Sequence, residues 1–67
     1  MRHTVEIEYS NLSLKEIEHQ KYDQRAWCLE CIGKRGKDWA VTLKQYNVSI
    51  FVFDQESHAA LFALKWK

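Results

Sequence analysis

The chain contains no proline, and only two glycines and two cysteines among its 67 residues. Without proline, no cis X-Pro turn is available and no element carries a built-in kink. Both glycines fall in one stretch, Gly33 to Gly36, so a single loop is marked for backbone conformations closed to other residues. Two cysteines do not make a disulfide framework. No apolar run approaches the roughly 18 residues of a membrane span, and Met-Arg-His-Thr-Val-Glu reads as a charged strand, not a signal peptide. Membrane attachment is therefore not expected, and the cytoplasm is the expected compartment. Charge of one sign is missing too. Ten Lys and Arg against nine Asp and Glu leave +1, so attraction to nucleic acid or lipid has to come from local clusters.

What is present is apolar and patterned. Hydrophobic residues make up 46% of the chain, with three each of Trp, Tyr and Phe. That composition folds, and the length allows one core, so residues 1–67 are read as a single compact domain.

Residues Thr4 to Tyr9 alternate, with Val5, Ile7 and Tyr9 on one side and Thr4, Glu6 and Glu8 on the other, as in a half-buried strand. Ser13 and Glu16 have the spacing of a capping box, and Leu12 and Ile17 that of a hydrophobic staple, which starts a helix at Leu14. The helix can run to Ile32, where Gly33 suits a C-terminal cap. Leu14, Ile17, Cys28, Cys31 and Ile32 share an arc that Lys21, Gln24 and Arg25 interrupt. Either the helix overhangs the sheet there, or these polar residues snorkel at the core edge or meet a partner.

After the basic loop from Gly33 to Asp38, Trp39–Gln45 and Val48–Phe53 have strand composition and are separated by Tyr46-Asn47. Asn47 tolerates the positive φ that a tight hairpin turn requires. A two-residue turn pairs Gln45 with Val48, Leu43 with Ile50 and Val41 with Val52. Trp39, Val41, Leu43, Val48, Ile50 and Val52 then share one face, and Ala40, Thr42, Lys44, Ser49, Phe51 and Phe53 the other. Asp54 caps a closing helix whose apolar face is Ala59, Phe62, Ala63 and Trp66, widened by Leu61 and Leu64.

The order is β-α-β-β-α. The crossover rule sets strands one and two parallel, with strand three between them, in a three-stranded, mostly antiparallel sheet with two helices on one face. This α+β arrangement is a ferredoxin-like fold that lacks its fourth strand, which leaves the strand-one edge unpaired. One sheet face stays wet. With Trp39 and the aliphatics turned to the helices, Phe51 and Phe53 are exposed beside Thr42 and Lys44; turned over, Trp39 and the five aliphatics are exposed. Either way the hairpin is more apolar than one helical layer needs, and association is expected, as a homodimer or on another protein.

Chemistry is thin. Ser10, Ser13, Ser49 and Ser57 carry no nucleophile motif, and Cys28 and Cys31 with His3, His19 and His58 match no zinc-ligand spacing. No enzyme, metal or cofactor is expected. Lys34, Arg35 and Lys37 are candidates for phosphate contact, without the spacing and following Ser or Thr of a P-loop.

Three resemblances add to this reading. Trp27-Cys28-Leu29-Glu30-Cys31 resembles the Cys-x-x-Cys motif of the thioredoxin family, which implies thiol redox chemistry; the family places the motif at the start of a helix, whereas here both sulfurs fall in the last turn, where the dipole disfavours a thiolate. Ser49-Ile50-Phe51-Val52-Phe53-Asp54, followed by Ala59 and Ala60, is similar to the third strand and second helix of an RNA-recognition motif, which implies base stacking on Phe51 and Phe53. Small size, absence of proline, the starting methionine, the segment from Gly33 to Trp39 and the ending Ala60 to Lys67 resemble small accessory proteins of tailed bacteriophages. That implies an adaptor or inhibitor that binds a host protein in the host cytoplasm. The leading expectation is thus a non-enzymatic interaction module using Phe51, Phe53, Thr42, Lys44, Lys21 and Arg25. Nucleic-acid binding through Lys34, Arg35, Lys37, Lys44 and the sheet aromatics is the alternative, and thiol redox chemistry comes third.

Overall fold

The computed structural model describes residues 2–67; Met1, the first residue of the stretch read as a charged strand, lies outside them. Along the chain come β1 (His3–Glu8), α1 (Leu14–Cys31), β2 (Trp39–Gln45), β3 (Val48–Phe53) and α2 (Glu56–Trp66). β3 is the central strand and is antiparallel to both neighbours, so β1 and β2 run parallel to each other at the two edges. The fold is α+β with the expected β-α-β-β-α order and an open three-stranded sheet.

Local chemistry sets the element ends. α1 opens on a formed capping box: the Glu16 amide donates to Ser13 Oγ at 3.3 Å, and the Ser13 amide donates to Glu16 Oε1 at 3.4 Å. It closes at Ile32, and Gly33 turns the chain away at φ +148°. A Cβ on Gly33 would come within 2.2 Å of Asp38 Oδ2, so glycine is required for both reasons. α2 begins one residue later than the sequence suggests. Its N-cap is Gln55, without a side-chain cap bond, because the Asp54 amide is still donating to the Asp38 carbonyl at the start of β2.

The hairpin differs from the expected register by a single residue. Gln45 pairs with Val48 as expected, but the ladder slips between Leu43 and Gln45, and Lys44 is left unpaired. Leu43 then stands opposite Ser49, Val41 opposite Phe51 and Trp39 opposite Phe53. Such a slip exchanges the two faces of a strand. The cause lies in the turn. Tight two-residue turns match the strand twist through positive φ, yet among the described residues Asn11 is the only non-glycine with positive φ. Asn47 does not supply it, and the bulge at Lys44 takes up the twist instead.

This slip overturns the expected exposure. Phe51 (1% exposed), Phe53 (0%) and Trp39 (2%) all face the helices and are enclosed in a single copy of the chain. Phe62 of α2 sits at their centre, 4.4 Å from the Phe51 ring and 5.2 Å from the Phe53 ring, with Trp39 stacked on the far side of Phe51. Each large aromatic ring buries about 150–250 Å², more than a valine or isoleucine, so the register that turns these rings inward is the favoured one. Val5, Ile7 and Tyr9 complete the same face, against Ile17 and Cys28 of α1 and Ala59 of α2.

The other sheet face is open but not greasy in the way anticipated. Val48 is buried and Ala40, Ile50 and Val52 are half-buried; Thr4, Glu6 and Glu8 flank them on one side and Thr42 and Lys44 on the other. Lys44 reaches across β3 to Glu6 at 3.4 Å. Leu14 and Cys31 of α1, and Leu61 and Leu64 of α2, expected on packing faces, are exposed. No helix among the described residues is long and apolar enough to cross a membrane.

Candidate functional site

The polar residues that interrupt the apolar arc of α1 belong to its buried face, which runs Ile17, Lys21, Gln24, Cys28. Gln24 is enclosed in the core, and its Oε1 accepts a hydrogen bond from the Tyr9 hydroxyl. That hydroxyl also lies 3.2 Å from Ser49 Oγ on β3. Burial pushes the Tyr9 phenol above its ordinary value, partly offset by the Ser49 hydrogen bond and the positive charge of Arg25. A small polar network thus ties β1, α1 and β3 together beneath one end of the sheet.

Lys21 extends this network to the surface. Its Nζ donates to the Tyr46 carbonyl in the hairpin turn at 2.8 Å and lies 5.8 Å from the centre of the Tyr9 ring. Lys21 is only 9% exposed, and no carboxylate of the described residues lies within 4 Å of it. Buried charges are ordinarily paired. Here the ammonium has a carbonyl and an aromatic ring, and its charge is uncompensated.

Lys21 forms part of the wall of a cleft of about 230 Å³ between α1 and β2. Val41, Leu43 and Phe51 supply its apolar side, with Ser49 beside them; Arg25 and Glu18 come from α1, and Arg35 from the loop before β2. Arg25 and Arg35, like Lys21, form no ion pair among the described residues. Three cations therefore surround a partly apolar cleft with one carboxylate on its rim. The cleft exists because β2 is an edge strand and Leu43 remains 59% exposed beside it.

Of the residues singled out from sequence, the structure brings Lys21, Arg25, Arg35, Thr42 and Phe51 to this cleft. The others separate. Phe53 is in the core, and Lys44 is on the open face with Glu6. Lys34 and Lys37 are exposed in a tightly bonded loop, in which the Lys34 amide donates to Asp38 Oδ2 at 2.8 Å and Trp39 Nε1 to the Gly33 carbonyl at 3.0 Å. Phe51 and Phe53, expected to be free for partner contact or base stacking, are covered by helix and are not available to a base. Ser49, Glu18, Val41 and Leu43 were not identified as site residues. Their role depends on the slip at Lys44, which no residue pattern announces.

The cysteine pair is split as well. Cys28 is fully buried, and burial, with the nearby Cys31 adding to it, pushes its thiol from 9.0 up to about 12. An activated redox thiol is shifted the other way. Cys31 is exposed at the helix end. A wider groove between α1 and Trp66 is lined mainly by side chains of one helix face, including Glu16, Glu18, His19 and Asp23, with His19 and Asp23 at 3.5 Å from each other. No group of three or more metal-ligating side chains occurs among the described residues. No protein-family model matches the chain, and comparison with curated proteins and with solved structures finds no match.

Proposed function

We propose that this chain is a non-catalytic interaction module that grips an anionic segment of a protein partner in the cleft between α1 and β2. One observation carries the reading: Lys21, a residue only 9% exposed, stands in the cleft wall with its ammonium on the Tyr46 carbonyl and no carboxylate within 4 Å. A part-buried cation without a close counter-charge is a ready partner for a carboxylate on another chain. Arg25 and Arg35 add donors on either side of it.

Size points the same way. Pockets for small metabolites usually run to roughly 300–1,000 Å³, and about 230 Å³ suits a side chain or two of a larger partner. The net charge of +1 is too low to steer the chain to a polyanion, and the rings that would stack on bases are buried. Such a module acts as an adaptor or an inhibitor, as the likeness to small phage accessory proteins implies.

Selection from a random peptide display library tests this directly. The expected result is enrichment of peptides rich in aspartate and glutamate, and loss of that enrichment with the Arg25→Glu/Arg35→Glu variant. A protein that enriches no acidic peptide, and instead binds a single-stranded oligonucleotide with affinity that falls steeply as salt rises, would replace this reading with nucleic-acid binding.

A further inference from the structure

The free edge of β2 lies along the mouth of the same cleft, and its main-chain groups can be assigned. In an antiparallel strand, the N–H and C=O of successive residues point alternately to the two sides. The Asp38 carbonyl accepts from the Asp54 amide, on the β3 side, and the Trp39 carbonyl accepts from the Gly36 amide, on the outer side. Ala40 and Thr42, opposite Val52 and Ile50, therefore bond to β3. Val41 and Leu43 present their N–H and C=O groups outward, and no other backbone group among the described residues meets them.

This free edge is short and fenced at both ends. Arg35 bridges to Trp39 at its start, and the bulge at Lys44 breaks it at its finish. Fences of this kind guard against indiscriminate pairing and leave room for a short strand. Side chains of an added strand would alternate between the two faces. One set would point to the helix side, toward Lys21, Arg25 and Arg35; the other would extend the half-buried aliphatic row of the open face.

We infer that the partner binds by strand addition: a short extended segment with acidic residues at alternate positions pairs with the Val41–Leu43 edge and lays its carboxylates toward Lys21, Arg25 and Arg35. The inference rests on the reading of the cleft as a protein-binding site and specifies how that site is used. Main-chain bonds at the edge supply affinity, and the cations select the sequence. A second copy of this chain is the poorer occupant. Pairing two β2 edges about a two-fold axis would set the three cations against their own counterparts. The opposite edge of the sheet repels an acidic strand, because β1 carries Glu6 and Glu8.

The probe is a short acetylated and amidated peptide alternating glutamate with valine, tested beside a scrambled peptide of equal composition and a copy N-methylated along the amides that would face β2. Amide exchange of the protein is followed in each case. The expected result is binding of the alternating peptide, slowing of exchange at Val41 and Leu43 by about tenfold or more, and a loss of affinity of about tenfold or more on N-methylation. If the peptide binds, N-methylation changes nothing and the Val41 and Leu43 amides exchange as before, the cleft reading stands and strand addition is overturned. If neither the alternating nor the scrambled peptide binds, the cleft reading fails with it. Protection of Val41 and Leu43 without peptide, accompanied by a dimer in sedimentation, would replace the acidic partner with a second copy.

Discussion

Lys21 Nζ and the Tyr46 carbonyl lie 2.8 Å apart, joining the middle of α1 to the hairpin turn. The bond places an ammonium where the sequence pattern called for an apolar residue, since positions 17, 21, 24 and 28 form one helical face. Tyr46 itself is well exposed, so its carbonyl does not depend on Lys21 for a partner.

Lys21→Met should therefore be nearly neutral for folding. Methionine keeps the packing volume of the buried stem and removes a part-buried charge, and such replacements are often neutral or stabilising. Urea unfolding is expected to change by less than about 1 kcal/mol, while binding of an acidic peptide falls sharply. A variant that unfolds, or one that binds unchanged, contradicts the assignment of Lys21 to the cleft.

The Tyr9–Gln24 pair behaves oppositely. Tyr9→Phe leaves the enclosed Gln24 Oε1 without its donor, which should cost about 1–3 kcal/mol. Adding Gln24→Leu removes the orphaned acceptor, and stability should partly recover. A double-mutant cycle with purely additive losses would show that the two groups do not interact.

Alkaline pH provides a separate test. The folded state holds the Cys28 thiol protonated to about pH 12, whereas an unfolded thiol ionises near 9.0. The contribution is thus fully present below pH 9, and stability declines from there toward pH 12 as the unfolded state loses its proton first. At 1.36 kcal/mol for each unit, the full shift amounts to about 4 kcal/mol, comparable with the total stability of a domain this small. The raised Tyr9 phenol acts in the same direction above its ordinary 10.0. Urea midpoints should fall through this range, and Cys28→Ala should flatten the fall. A midpoint independent of pH, or an unchanged slope in the variant, contradicts the burial of Cys28.

The two glycines should respond unequally to alanine. Gly33→Ala combines φ +148° with a clash against Asp38, whose Oδ2 also holds the Lys34 amide, and should cost about 3 kcal/mol or more. Gly36 has φ +88° but nothing within 4 Å of the added carbon, so Gly36→Ala should cost only the backbone strain, about 1–2 kcal/mol. Equal losses, measured by thermal or urea unfolding, would count against the folded loop.

Much of this architecture was legible because local rules were strong. The capping box at Ser13 and Glu16, the alternation from Thr4 to Tyr9 and the two strand-like runs around Tyr46-Asn47 produced the element order and the position of β3 between its neighbours. The faces of β2 relative to β3 were not legible. They depend on whether Asn47 takes positive φ, a choice of one dihedral that the dipeptide leaves open and that the bulge at Lys44 resolves. The site inherited that uncertainty. Lys21, Arg25 and Arg35 were visible as unusual cations, but their meeting beside Val41 and Leu43 follows from tertiary packing, and Phe51 and Phe53 went to the wrong side with the register.

Register is accordingly the claim on which both the core and the cleft depend, and cross-strand nuclear Overhauser effects read it without perturbing the chain. Residues in a non-hydrogen-bonded antiparallel pair have their Cα atoms only about 4.5 Å apart, close enough for strong Hα–Hα contacts. The structure predicts such contacts between Val41 and Phe51 and between Leu43 and Ser49. Strong Hα–Hα contacts joining Thr42 to Phe51 and Lys44 to Ser49 instead would restore the unbulged hairpin, put Val41 and Leu43 on the face opposite the phenylalanines and dissolve the cleft.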